Sequence, residues 1–448
     1  MKILLTTHQF FPQFSAGTEV LTLSVARELI KCGYTVHVFT GFPSTKVLAD
    51  EGRFDEYDYE GIHVYRFHHA YTPMGGQTSM IEVGYDNKLA VIFFENILNT
   101  FKAELIHFFH FDRLGTGLIE HAVKNNIPCF FTPTDFWSIC PTGQLLINKK
   151  TTCSGPNVHA GNCIKHLAMN DKSHSVGFIA KCIPLTVFNI ISELTKRKKL
   201  PKYPHCEEVN ATGGRLAMNI SRLKKLSGII SPTQLMTKNL IQNGVPAALI
   251  VQSSFGINID NRKIQYAPQR PLRVGFIGTI ASHKGAHILI KAFSSLPVNS
   301  ATLKIYGNMK EDVKYADNLR DLALNQSNID FCGVFENSKI STVLEGIDVL
   351  VVPSLWFENT PLVIFSAQAV HCPVIASDFP GISEVIHNEV NGLLFEPGNS
   401  TALAEKIRQL IEVPSLIEQL SANALKPKSI EMYVDDLLGI WKGDLLAQ

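Results

Sequence analysis

Apolar positions along the chain fall into short runs that alternate between two spacings. KILLTT (2–7) is a short apolar strand, and TEVLTLSVARELIK (18–31) carries Val20, Leu23, Val25, Ala26, Leu29 and Ile30 at helical spacing. Gly33 stands where that helix should stop, and YTVHVFT (34–40) reads as the next strand. Strand, glycine-containing loop, helix, strand is the pattern of a parallel α/β sheet. It recurs in ELIHFFH (104–110), GLIEHAVKNN (117–126) and PCFFTPTD (128–135), and SGIISPT (227–233) reads as a further strand end. An irregular region is expected over about 138–205. IVQSSFGINID (250–260) closes this half, and the polar, proline-containing NRKIQYAPQRP (261–271) reads as a linker.

The pattern then restarts. LRVGFIG (272–278) is a strand, KGAHILIKAF (284–293) a helix, and ATLKIYG (301–307), NIDFCGV (328–334), DVLVVPS (348–354) and PVIASD (373–378) are further strands. Each half is predicted to be its own doubly wound α/β domain, with a cleft between them. Ligands of such sheets sit beyond the C-terminal strand ends, where most of the unusual residues of this chain fall.

Composition narrows the reading. A chain of 448 residues is too long for one ordinary core, which agrees with two domains. A net charge of +1 gives no electrostatic case for nucleic acid. The opening MKILLTTHQFFPQF lacks the length and cleavage site of a signal peptide. The most apolar stretch, 176–191, is interrupted by Lys181 and Pro184, so no membrane span is expected. The nine cysteines, an odd number, read as reduced thiols of a cytoplasmic protein.

Two loops carry candidate chemistry. Gly278 follows a strand and Lys284 precedes a helix, so backbone N–H groups, the helix dipole and an ammonium together make an anion site; the plain alternative is a surface loop with a solvated lysine. The loop is not G-x-x-x-x-G-K-[ST], which disfavours a P-loop nucleotidase. In PSLWFENTPLVIF, Glu358 stands just ahead of a helix expected from Thr360 to about His371. It either caps that helix or, with nearby backbone N–H groups, holds hydroxyls of a polar ligand.

PSLWFENTPLVIFSAQAVHCPVIASDFPGISEVI followed by NGLLFEPGN resembles the donor-binding region of glycosyltransferase family 4. HQFFPQFSAGTEVLTLSVARELIKCGYTVHVFT resembles the family's glycine loop and first helix, and GFIGTIASHKGAHILIKAF its phosphate-binding loop. The resemblance implies the GT-B fold, two Rossmann-like domains facing across a cleft. It implies an acceptor-binding domain over 1–262, with a cysteine-rich insertion at about 138–205, and a nucleotide-sugar domain over 269–425. The last helix, in 426–448, would return to the first domain. The implied reaction is retaining transfer of a sugar from a nucleotide diphosphate to a saccharide or lipid-linked acceptor, with no metal needed for catalysis. By the same resemblance Lys284 matches the diphosphate lysine, Glu358 the first acid of a Glu-x7-Glu motif that contacts the sugar, and Gly17 the loop glycine near the donor. Gly278, Thr279, Asn359, Thr360, Pro361, Leu362 and Ser366 complete the expected donor site. Glu384 lies in a segment resembling the family's later acidic stretch and receives no sharp role.

The chain departs from the family at four positions. Ser366 replaces the second motif glutamate, Thr279 an arginine, His371 a small glycine, and Thr134 a histidine near the reacting sugar. Asp135 and His110 are candidate replacements for polar contacts at first-domain strand ends, Asp135 being assigned to catalysis together with Glu358. An interior salt bridge or strand-end cap for Asp135 and a satisfied core histidine for His110 are the structural alternatives.

Two further segments bear on partners. Cys140, Cys153, Cys163 and His166, spaced C-x12-C-x9-C-x2-H, are three sulfurs and an imidazole suited to a structural tetrahedral zinc, the alternative being packed thiols. VGFIAKCIPLTVFNIISEL followed by TKRKKLPK sets an apolar helix beside five basic residues in 196–202. Such a segment, 176–202, can lie on an anionic membrane as a peripheral contact on its inner face, or be a buried helix with a solvated end. The expected function is a cytoplasmic glycosyltransferase of cell-surface polysaccharide or glycoconjugate synthesis. The alternative is a catalytically inactive GT-B-fold scaffold subunit, motivated by the four departures. An epimerase is disfavoured by the ENTP segment.

Overall fold

The structure, a computed structural model, describes residues 1–46, 48–70, 73–148, 151–170, 174–258, 271–359 and 361–443. The first sheet holds β1 (Lys2–Thr7), β2 (Thr35–Pro43), β3 (Phe54–Tyr59), β4 (Ile62–His69), β5 (Leu105–Phe108) and β6 (Cys129–Phe131). After a small hairpin, β7 (Leu146–Ile147) and β8 (Thr151–Thr152), it is completed by β9 (Gly228–Ser231) and β10 (Ile250–Gln252). Its order is β10-β9-β6-β5-β1-β2-β4-β3, parallel except that β3 pairs antiparallel with β4. The central strands are buried on both faces, so they are written as near-continuous apolar runs rather than alternating ones; Ile3, Leu4 and Leu5 of β1 are fully buried.

The second sheet is fully parallel: β11 (Leu272–Ile277), β12 (Ala301–Tyr306), β13 (Ile329–Gly333), β14 (Val349–Val352), β15 (Val374–Ser377) and β16 (Leu393–Phe395), in the order β13-β12-β11-β14-β15-β16. The chain reverses direction across each sheet at one point, between β1 and β5 in the first and between β11 and β14 in the second. A crevice opens beyond the strand ends at such a switch point, and the loops discussed below all leave from there.

The final helix, Ile430–Lys442, packs on the helix Gly17–Lys31 and buries Tyr433, Val434, Leu437 and Ile440 in the core behind the first sheet. Ile257 and Ile430 tie the crossing backbone together, Ile430 N–H donating to Ile257 O at 2.8 Å.

The region expected to be irregular is a correction. It contains three helices, Gly161–Met169, His174–Cys182 and Leu185–Lys196. The apolar segment is two helices because Pro184 interrupts it and acts as N-cap of the second. The hairpin strands β3 and β4 and the helices Lys88–Phe101 and Cys206–Leu223 are further elements that the pattern reading did not pick out. The expected linker 261–271 lies, apart from Pro271, outside the described residues.

Candidate active site

In the second domain β11 runs into Gly278 and Thr279, and a single-turn helix, Ser282–Lys284, follows. Gly285, at φ +75°, then starts the helix Ala286–Phe293. A Cβ on Gly285 would lie 1.8 Å from the Pro353 carbonyl oxygen, so only glycine lets this loop press against the end of β14. That contact brings Lys284 to the loop after β14. Its Nζ donates to Glu358 Oε1 at 2.7 Å and lies 5.0 Å from the Trp356 ring centre. Ser354 Oγ and Trp356 Nε1 donate to the same oxygen, at 2.7 and 2.8 Å. Glu358 is only 4% exposed. Burial alone would push its pKa up, but the Lys284 charge and the hydrogen bonds from Lys284, Ser354 and Trp356 hold it below the ordinary carboxylate value. Sequence reasoning had singled out Lys284 and Glu358 separately; their pairing, and the parts of Ser354 and Trp356, come from the structure.

The helix behind Glu358 is Leu362–Ala369, with Pro361 as its N-cap residue, so it starts later than expected. Thr360 lies outside the described residues. Ser366 Oγ donates to the Leu362 carbonyl at 3.1 Å, so its proton is committed to its own helix. Asn359 spans to the first domain. Its Nδ2 donates to Pro133 O at 2.8 Å and its Oδ1 accepts from Thr233 Oγ1 at 2.7 Å, both in the first domain. Glu384, given no role from sequence, does the same from the next loop: its carboxylate accepts from Gln234 N–H at 2.7 Å and Leu235 N–H at 2.9 Å, at the start of the helix Gln234–Gln242. Leu362 reaches across to Gly17, whose Cβ, if present, would lie 3.9 Å from Leu362 Cδ1.

Opposite this loop, the ends of β1 and β5 place His8 against His110, ring centres 4.1 Å apart. His110 Nδ1 accepts the Asp112 N–H at 3.0 Å, which leaves Nε2 to carry the proton toward Asp135 Oδ1, 3.1 Å away. His110 is buried, and the opposing Asp135 carboxylate overcomes that burial and raises its pKa. Burial, then the neighbouring His110 and Arg113, lower the pKa of His8, so this ring is neutral. Asp135 also accepts from Trp137 N–H at 2.8 Å, so the strand-end cap expected as its alternative role is present as well. Thr134 Oγ1 accepts from Thr18 Oγ1 at 2.9 Å.

Glu19 is a residue that sequence reasoning missed. It is 0% exposed, His8 Nε2 lies 3.7 Å from its Oε1, and burial raises its pKa to about 7. The signal was present: Glu19 stands four residues before Leu23 and seven before Ala26, on the buried face of an amphipathic helix. A carboxylate on an apolar face is the informative exception to burial rules.

Cys140, Cys153, Cys163 and His166 do come together, lining one cavity between the hairpin and the helix Gly161–Met169. Among the described residues no three His, Cys, Asp or Glu side chains are arranged to hold an ion. His166 Nε2 accepts the Asn148 N–H at 3.1 Å, and burial raises the Cys163 thiol to about 12.

Residues 258–426 match the family model described as glycosyl transferases group 1. Among relatives, an amylovoran biosynthesis glycosyltransferase, AmsK, of Erwinia amylovora is 29% identical over 189 residues, 40% of this chain and 46% of that protein. A capsular polysaccharide biosynthesis glycosyltransferase, CapM, of Staphylococcus aureus is 26% identical over 202 residues, 43% of this chain and 53% of that protein. The chain thus spans about half the length of these relatives. Solved structures match it almost end to end. HepE of Anabaena, solved with UDP and glucose, has TM-score 0.63 at 16% identity, covering 99% of this chain and all of that one, 100%. Sucrose-phosphate synthase of Thermosynechococcus elongatus has TM-score 0.67 at 15% identity, with 100% of both chains covered. The fold is GT-B.

Proposed function

We propose that the chain is a retaining glycosyltransferase that moves a sugar from a nucleotide diphosphate donor to a glycan or lipid-linked acceptor, in the assembly of cell-surface polysaccharide or glycoconjugate. Its proposed setting is the cytoplasm, peripheral to the inner face of the membrane. The observation that carries the reading is the Lys284–Glu358 pair at the second switch point, facing the His8–His110–Asp135 cluster at the first. The match of residues 258–426 to glycosyl transferases group 1 and the UDP found with HepE support it.

In this reading the diphosphate lies over Gly278 and the start of the helix Ala286–Phe293. Lys284 gives one N–H to Glu358, and its ammonium has two more for phosphate oxygens. The sugar C1–phosphate bond breaks as the acceptor oxygen bonds C1 on the same face, and the acceptor proton leaves with the departing diphosphate. The positive groups stabilise that diphosphate as its charge develops. Asp135, with His110 behind it, orients the acceptor hydroxyl at the first-domain strand ends.

One observation favours the scaffold alternative: the Ser366 hydroxyl bonds its own helix instead of standing free for a ribose. Titration calorimetry with UDP, GDP and their sugar conjugates, followed by donor hydrolysis assays, separates the two. Micromolar binding that Lys284→Ala weakens about tenfold (~1.4 kcal/mol), with donor turnover, supports transfer. Binding without turnover supports the scaffold, and no binding at all removes the transferase reading and leaves the scaffold.

A further inference from the structure

The helices between the hairpin and β9 form an appendage on the first domain. The helix Leu185–Lys196 packs on Gly161–Met169 and on Cys206–Leu223, and Phe188 joins Ile164 and Ala180 in a small core of its own. Its buried face is Phe188 and Ser192, one helical turn apart. A helix that ended its apolar content there would be amphipathic and solvated on the far side.

This one is apolar on the far side too. Val187 and Ile190 are exposed, Leu194 is half-buried, and the spacing of three and four residues sets them in one row opposite Phe188. On the neighbouring helix Phe178 and Ile179 are 69% and 56% exposed, and Leu185, the first residue of Leu185–Lys196, is exposed as well. Of nineteen exposed large apolar side chains among the described residues, five fall within 178–190, whereas the others are dispersed along the chain. Such a cluster marks a contact surface.

The charges beside it say what the contact is. Lys196, Arg197, Lys198, Lys199 and Lys202 follow at the end of the same helix, although the whole chain has a net charge of only +1. Arg197 pairs with Glu193 at 2.6 Å, and Lys196 donates to Gly213 O at 3.0 Å. Lys198, Lys199 and Lys202 are exposed and make no ion pair with the described residues. Aromatic and branched apolar side chains ending in a run of uncompensated ammonium groups match the depth profile of a bilayer surface, acyl chains below and lipid phosphates above.

We propose that Phe178 and Ile179 of one helix and Leu185, Val187 and Ile190 of the next, with Lys198, Lys199 and Lys202, make the surface by which this protein docks on an anionic lipid bilayer. The inference rests on the peripheral-membrane part of the proposed function and not on the transferase part: a chain that binds vesicles but transfers no sugar keeps it. Docking through the first domain would bring a lipid-linked acceptor to the side of the cleft that carries Asp135.

The test is co-sedimentation of the full chain with phosphatidylcholine vesicles, with and without phosphatidylglycerol, at low and high salt. The expected result is binding to the anionic vesicles, weaker by about tenfold or more on neutral ones or in high salt. Phe178→Ser with Ile190→Ser should release the protein from anionic vesicles with its melting temperature unchanged. Lys198→Glu with Lys199→Glu should lower binding chiefly at low salt. Three outcomes overturn the proposal: no binding to anionic vesicles, binding that neither double variant weakens, or a dimer in solution that Phe178→Ser with Ile190→Ser converts to monomer, which would assign the face to a second copy.

Discussion

Lys284 Nζ and Glu358 Oε1 lie 2.7 Å apart at the crevice of the second sheet, although the residues are 74 positions apart in sequence. Because Glu358 is buried, the pair is asymmetric: the lysine can find water, while the carboxylate depends on the lysine. The folded state holds Glu358 below its ordinary pKa. Its contribution to stability is therefore fully present above the unfolded carboxylate pKa of 4.5 and is lost as pH falls through the folded value.

Lys284→Met should reverse that dependence. Without the ammonium, burial dominates and the Glu358 carboxyl is pushed up. The variant should gain stability relative to the parent as pH falls from neutral, because in the parent Glu358 stays ionised over that range and its contribution is lost only below 4.5. Melting temperature against pH for the two proteins reads this directly. Parallel curves would mean that Glu358 does not depend on Lys284.

Glu19 supplies the opposite case. Its folded pKa of about 7 exceeds the ordinary 4.5, so the native state binds more protons, and stability falls as pH rises between those values. Glu19→Gln should remove this fall and stabilise the protein by ~3 kcal/mol at pH about 8, with little effect below pH about 4.5. Urea denaturation at several pH values checks it.

Asn359 joins the two domains through Pro133 and Thr233, and Glu384 adds a second tie at Gln234 and Leu235. Asn359→Ala leaves the buried Pro133 carbonyl without this donor, at a cost of about 1–3 kcal/mol. The expected sign is faster hydrogen exchange at the facing ends of Gln234–Gln242 and Leu362–Ala369, with the centres of both sheets unchanged. Asn359→Asp should cost more, because it sets a carboxylate against that carbonyl.

His371 is one of the four departures, and the structure takes it away from the site. It sits at φ +58°, the left-handed conformation that favours glycine, just past the helix Leu362–Ala369. Its ring Nδ1 lies 3.0 Å from the Ser421 carbonyl oxygen. His371→Gly would relieve strain of roughly 1–2 kcal/mol and lose a hydrogen bond of about 1 kcal/mol, for a net change within about 1 kcal/mol. His371→Val keeps the strain without the bond and should destabilise by more than 2 kcal/mol or so. Nucleotide affinity should not follow either change.

The sheet strands were legible because buried parallel strands are written as apolar runs; β11, β12, β14 and β15 lie within a residue or two of their predicted limits. The strands β3 and β4 were not. FDEYDY and IHVYRFHH mix charges with aromatics at an edge, where one face meets solvent and cross-strand pairs such as Asp55 with Arg66 carry the polarity. At the site, Lys284 and Glu358 were legible as residue types in marked positions. Asn359 was not, because a short amide before a helix looks the same in sequence whether it meets a ligand or another domain. Cys140, Cys153, Cys163 and His166 were legible as a group: all four line one cavity, with Cys140 and Cys163 buried, Cys153 half-buried and His166 accepting the Asn148 N–H.

The return of Ile430–Lys442 to the first domain has a consequence for the order of synthesis. Phe109, Phe130 and Ile230 on the rear of the first sheet share their core with Tyr433, Val434 and Leu437. On a ribosome the first domain emerges complete in its strands but lacking this cover, and at ordinary elongation rates the wait for it is on the order of ten seconds or more. During that interval an apolar sheet face is open to chaperones. A chain cut short before residue 430 would keep that face uncovered for good.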